Sequence, residues 1–245
     1  MMNKRALCLL LSLLLTSAAL AEPLVLESDL TDEIREKLNG KADYIYSFRY
    51  PQVDPADPSA ELINNFFRYK AEDAAGFEVP MNADFYRGQD PQEDIRTDIS
   101  YTVTCNNESF FSLLVENRQE QMSTWTGYTF SRKDLKPGLS VALPYLLGLL
   151  RSEETDTWLQ DRQTARADAL VREMVWERLQ EKNGNGLKLH ADLEKEILEY
   201  FFFPEEDFFL SENGDPVFYL QPGMAEDSER LITVTIPIAD ILDEL

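Results

Sequence analysis

Carboxylates are the chemistry-bearing side chains this sequence offers in number. Its 245 residues hold 45 Asp and Glu against 23 Lys and Arg and one His. Paired acids can hydrolyse a glycosidic bond when one is kept protonated in a cleft while its neighbour stays ionised. Glu153-Glu154, Glu205-Glu206-Asp207 and Glu226-Asp227 have the adjacency, but in so acidic a chain a solvated face shows the same pattern. A zinc site needs three or four ligands at matched spacing, and His190 is the only histidine. His190 would also have to serve any Ser-His-acid or Cys-His arrangement, and no Gly-x-Ser-x-Gly elbow accompanies it. Asp90, Glu93, Asp94 and Asp98 gather near Pro91, without the glycine and terminal glutamate of an EF-hand loop. No catalytic residue, metal ligand or cofactor is therefore assigned. What clustered acids do without turnover is attract cations. Asp90, Glu93 and Asp94, in a turn-rich stretch with no apolar pattern, are the expected partner-binding residues. The equally acidic Glu205-Glu206-Asp207 run is squeezed between aromatic clusters and is expected close to the core.

Net charge narrows the partner. The chain carries −22 at neutral pH, which repels nucleic acid and anionic membrane surfaces and draws basic partners by long-range steering. The same acidity also keeps a secreted protein soluble. Export is written at the start: Lys4 and Arg5 precede the apolar run Ala6 to Leu15, and Ala19-Leu20-Ala21 forms an A-x-A site, which predicts a signal peptide over residues 1–21 cut before Glu22. A retained anchor needs about 20 apolar residues, and Ser12, Thr16 and Ser17 interrupt this run. Cleavage removes two positive charges and takes −22 to −24. The address is secreted or extracytoplasmic, with no membrane contact after cleavage. Cys105 is then the sole cysteine, so no internal disulfide forms, and its place on an apolar strand face predicts a buried, inert thiol.

The elements that must position these acids follow from periodicity. Ile99, Tyr101, Val103 and Cys105 alternate with Ser100, Thr102 and Thr104, and Asn106-Asn107 offers a turn into Phe111, Leu113 and Val115. With Thr124 to Phe130 this reads as a three-stranded antiparallel meander. Ahead of it, Asp29 to Leu38 reads as a short helix, and Tyr44 to Tyr50 as a strand stopped by Pro51. A helix then follows with Asp57 as N-cap, Pro58 at its first position and Leu62, Ile63, Phe66 and Phe67 on its packed face. Asp84 to Asp98 is an acidic connector. Beyond the meander come a Pro137-Gly138 turn, an apolar run to Leu150, and a long helix over Thr157 to Lys182 striped by Leu170, Val171, Met174, Val175 and Leu179. On this reading Met174→Ala costs about 2–5 kcal/mol. A helix over His190 to Phe202, a hairpin about Asn213-Gly214, a strand over Leu231 to Ile236 and a terminal helix over Ile238 to Leu245 complete the chain. Runs of strands and helices, rather than strict alternation, predict an α+β fold of two packed lobes, each an antiparallel sheet with covering helices. The divisions are a leader over 22–43, an N-terminal lobe over 44–131 and a C-terminal lobe over 132–245.

Taken in order, these signals resemble a known family. Tyr50-Pro51, Ile63-Asn64, Ser109 to Leu113, Asp134 to Gly138 with Val141 to Leu143, the Phe208 to Leu220 hairpin and Ile236-Pro237 together resemble the extracytoplasmic domain of RsiV-like anti-sigma factors, from about Tyr44 to Leu242. Where that family often has a Gly-Gly-Ala-His stretch, this chain has Thr126-Gly127-Tyr128-Thr129. The resemblance implies a two-lobed α+β fold and a cell-envelope binding role. One branch of the family binds lysozyme, and the module also occurs with peptidoglycan deacetylases. The partner it implies is a basic, lysozyme-like protein or a wall component. A cell-envelope hydrolase using paired carboxylates is the alternative.

Overall fold

Tyr44, Tyr46, Phe48 and Tyr50 bury their rings on one face of β2 (Asp43–Val53) and seed the first sheet. The computed structural model describes residues 23–120, 122–133, 136–149, 157–183, 187–189, 195–223 and 230–245. The cleavage site, His190, Glu153-Glu154 and Glu226-Asp227 lie outside the described residues. An α+β architecture results. A five-stranded sheet runs in the order β1-β2-β3-β4-β5, and a three-stranded sheet in the order β6-β7-β8.

The leader is a strand and not a helix. β1 (Leu26–Lys37) pairs antiparallel with β2 along its whole length. Leu26, Leu30 and Ile34 recur every four residues, a spacing that suits one helix face and, being an even interval, one strand face equally. Packing of these three against the first core decides for the strand. Pro51 does not stop β2 either. It lies opposite Asp29 of β1, beyond Phe48–Ile99, where pairing with β3 has ended, so its missing N–H leaves no ladder bond unmade.

α1 (Ala60–Asp73), a π-helical turn at Ala74–Glu78 and α2 (Val79–Arg87) form the crossover to β3 (Ile95–Asn106). Ile63 and Phe67 bury the expected face of α1, with Phe66 partly buried beside them. Asp57 does not cap this helix. Its carboxylate accepts the Ser59 N–H at 2.8 Å and pairs with Arg132 at 3.2 Å, locking the turn that precedes Ala60. α2 takes up part of the expected acidic connector, which shortens to residues 88–94. Because a helical crossover returns the chain in the same sense, β3 runs parallel to β2, so the first sheet is mixed and not wholly antiparallel.

The expected meander is present as β3, β4 (Phe110–Gln119) and β5 (Met122–Ser131). Asn107 makes its turn by accepting the Ser109 and Phe110 N–H groups, both at 2.9 Å. One feature of it was not expected. A register shift between Val103 and Cys105 re-aims Cys105, so the thiol is buried in the second core while Ile99 stays in the first.

The second core collects around α4 (Thr157–Lys182), whose Ala167, Val171, Val175 and Leu179 are fully buried at four-residue spacing. Leu170 and Met174 are only partly buried at its margin, so the full loss expected for Met174→Ala does not apply. Against this face pack the short α3 (Leu143–Leu146), α5 (Lys195–Phe201), the β6 (Phe208–Leu210) and β7 (Pro216–Leu220) hairpin, β8 (Ile232–Thr235) and α6 (Ile238–Glu244). Gly214 takes the positive φ of +85° that the Asn213-Gly214 turn requires. The two cores meet across β4 and β5, where Ser112 and Thr129 hydroxyls bond at 2.9 Å and Ser112 Oγ accepts the Leu210 N–H.

Candidate functional site

Residues 88–94 turn the chain from α2 into β3, and this loop carries all three expected contact acids on its exposed surface. Asp90 sits at φ +48°, a left-handed conformation Asp tolerates because its short polar side chain can bond locally. Its carboxylate accepts Asn39 Nδ2 at 3.1 Å, and Asn39 also donates to the Pro91 carbonyl at 2.9 Å. Asp94 accepts the Asp43 N–H at 2.9 Å, and Lys41 Nζ donates to Gln92 Oε1 at 2.8 Å. The loop is thereby riveted to the β1–β2 turn at four points. Glu93 forms no hydrogen bond or ion pair among the described residues, so its charge is free for a partner. Asp98 belongs elsewhere. It faces Ser47, Arg96 and Arg118 on β3, so the grouping a calcium ion would need is not assembled. Among the described residues no cluster of three His, Cys, Asp or Glu could hold a metal.

A groove of about 420 Å³ runs where the two cores adjoin, between α1, β5 and the segment preceding β6. Phe66 and Tyr128 form its apolar wall, with Lys70 Nζ 5.8 Å from both ring centroids, and Glu205 and Glu206 face them. Its floor is set by Gly127. A Cβ there would stand 2.0 Å from the Phe208 carbonyl oxygen, and the Gly127 N–H donates to the Tyr219 hydroxyl at 2.9 Å. Burial raises that hydroxyl above its usual range, opposed by the Gly127 N–H and aided by Asp207. A glycine inside a strand pattern is the sequence signal for such a close approach.

Of the Glu205-Glu206-Asp207 run expected close to the core, Glu205 and Asp207 are half-buried and Glu206 is exposed. Asp207 is half-buried and accepts the Phe203 N–H at 2.7 Å; burial raises its carboxyl, against that bond and with Glu206. The acid that sequence reasoning missed is Asp168, on α4. Burial first and Glu205 second push its carboxyl up to about 6, against the pull of Arg172, and its Oδ1 is buried with no partner among the described residues. Nothing in its sequence surroundings marks it, because the pair is made across elements. A further groove of about 270 Å³ between α4 and α6 is lined by Glu177, Glu181, Asp240, Asp243 and Arg178, again an acidic surface.

No protein-family profile matches the sequence, and no curated protein matches it. Among the solved structures that match are two DUF3298 family proteins. A DUF3298 family protein from Pseudomonas aeruginosa PAO1 superposes with a TM-score of 0.51 at 12% identity, covering 90% of this chain and 93% of its own. A DUF3298 family member from Bacteroides fragilis NCTC 9343 gives 0.44 at 9% identity, covering 89% and 92%. The likeness to the first is one of fold.

Proposed function

We propose that this chain is an exported cell-envelope binding module, akin to the extracytoplasmic domain of RsiV-like anti-sigma factors, that recognises a basic protein without turnover. Lysozyme is the leading candidate, and a wall component is the other. The observation that carries this reading is the riveted loop of Asp90, Glu93 and Asp94. It presents three carboxylates to solvent on a backbone tied down by Asn39 and Asp43, and Glu93 is unpaired among the described residues. Pre-organised charge of one sign raises encounter rates with an oppositely charged partner and spends little ordering entropy on contact. The −24 left after the expected removal of Lys4 and Arg5 extends that attraction over the whole surface. Calorimetric titration of lysozyme into the purified protein tests it. Saturable binding, weakened when Asp90, Glu93 and Asp94 are all replaced by Lys, is the expected result; no heat at two temperatures removes lysozyme as the partner.

A hydrolytic reading is favoured by one observation, the buried Asp168 Oδ1 that has no hydrogen-bond partner among the described residues, on a carboxyl that burial and Glu205 raise to about 6. A protonated acid beside an ionised one is the arrangement glycoside hydrolysis uses. Release of reducing ends from peptidoglycan by the wild type, lost in Asp168→Asn, would establish turnover. Absence of release leaves binding alone.

A further inference from the structure

Among the described residues, β1 is the one long sheet edge left open. On the far side of the same sheet, β5 is closed from Trp125 to Ser131: Gln221 clasps Trp125 N–H and C=O at 3.0 and 2.6 Å, Tyr219 takes the Gly127 N–H, and Val141 and Leu139 pair with Thr129 and Ser131. In the second sheet β8 has four residues, and Lys182 Nζ donates to its Thr233 carbonyl at 2.9 Å. β1 has twelve residues and stands first in the strand order. Its odd-numbered residues turn their backbone groups away from β2. Asp29 lies opposite Pro51, which has no N–H to give, the Glu33 N–H bonds outward to the Asp32 carboxylate, and the Lys37 carbonyl accepts Arg87 Nε at 2.9 Å. By the same alternation the backbone N–H and C=O groups of Thr31 and Arg35 face away from β2, and among the described residues they make no backbone bond outside the β1–β2 ladder.

We infer that β1 is a docking edge which accepts an extended, basic segment of a partner protein as a sixth strand. This rests on the binding reading above and gives it a surface. Charge selects the occupant. β1 carries Glu27, Asp29, Asp32, Glu33 and Glu36 against Arg35 and Lys37, so a second copy of β1 would set acid against acid, whereas Lys or Arg on an incoming strand would meet carboxylates on both faces. The ion pairs these acids now make, such as Glu33–Arg35, are solvent-exposed and therefore readily exchanged. Main-chain bonds would supply affinity and the alternating acids selectivity. The edge also runs into the acidic loop, since Asn39 just past its end holds Asp90.

Residue-resolved amide hydrogen exchange tests this, with a capped ten-residue peptide of alternating Lys and Val as probe and lysozyme in parallel. The peptide is expected to slow exchange at Thr31 and Arg35 while leaving Leu30, Asp32 and Ile34, already bonded to β2, unchanged. Thr31→Pro, which removes an outward donor and keeps the ladder to β2, is expected to weaken peptide binding about tenfold. Peptide that fails to bind, or binds without slowing Thr31 and Arg35, overturns the inference. Lysozyme that binds without touching these amides overturns it too and leaves the functional reading standing. Protection by the peptide with no lysozyme binding upholds the edge and removes lysozyme.

Discussion

Asp168 shows how far a residue's chemistry depends on neighbours that are remote in sequence. Its carboxyl, ordinarily near 3.8, is raised to about 6 by burial and by Glu205. The folded chain holds this proton more tightly than the unfolded one, so the group's contribution to stability is fully present below about pH 4 and is lost as pH rises through about 6. Asp168→Asn keeps a neutral group at every pH. Thermal melts are therefore expected to coincide with wild type at pH 4 and to lie above it at pH 7.5; a variant less stable than wild type at pH 7.5 would show that the ionised carboxylate is favoured where it stands. Gly127 makes a complementary point about space. A methyl there meets the Phe208 backbone, which cannot rotate away as a side chain can. Gly127→Ala is expected to destabilise by about 3 kcal/mol in urea unfolding by forcing β5 from β6, and a change within experimental error would mean that the two strands separate freely. That Asp90, Glu93 and Asp94 share one exposed loop was legible from turn signals and the missing apolar pattern. The setting of Asp168 was not, because Glu205, whose charge acts on it, lies remote in sequence in the turn before β6.

At the scale of elements, the long helix α4 was readable to its ends, and its buried side was readable in part. Val171, Val175 and Leu179 are buried as their spacing predicts, whereas Met174 sits at the rim of the groove shared with α6. Leu179→Ala is expected to cost about 2–5 kcal/mol and Met174→Ala clearly less. Equal losses in urea unfolding would place the groove side of α4 in the core after all. The elements that misread did so for one physical reason. Local spacing cannot report what the opposite strand supplies: a four-residue apolar repeat made β1 look helical until β2 paired with it, and Pro51 looked like a stop because the end of its pairing with β3 is invisible locally. The bulge that sends Cys105 into the second core leaves no composition signal either, because it is a mismatch between two strands rather than a property of one.

For the molecule as a whole, β3 and β4 contribute to both cores, with the riveted acidic loop and the open β1 edge at one end of the first sheet. The α+β class follows from runs of period-2 and period-3.6 segments. The mixed first sheet does not, because a helical crossover and a hairpin between the same two strands differ only in where the chain comes back. Net charge is the property that unites the molecule's surface. If the −24 of the cleaved chain steers a cationic partner, association is governed by the field beyond contact, and that field has a length set by salt. Raising ionic strength from about 0.01 M to about 0.15 M shortens the screening length from about 30 Å to about 8 Å. The direct measurement is the association rate of lysozyme with the immobilised protein at these two salt concentrations, for wild type and for the variant with Lys at positions 90, 93 and 94. The account predicts an association rate that falls at the higher salt, and a lower rate for the variant at low salt. No association at either salt, or a rate indifferent both to salt and to charge reversal, would contradict it.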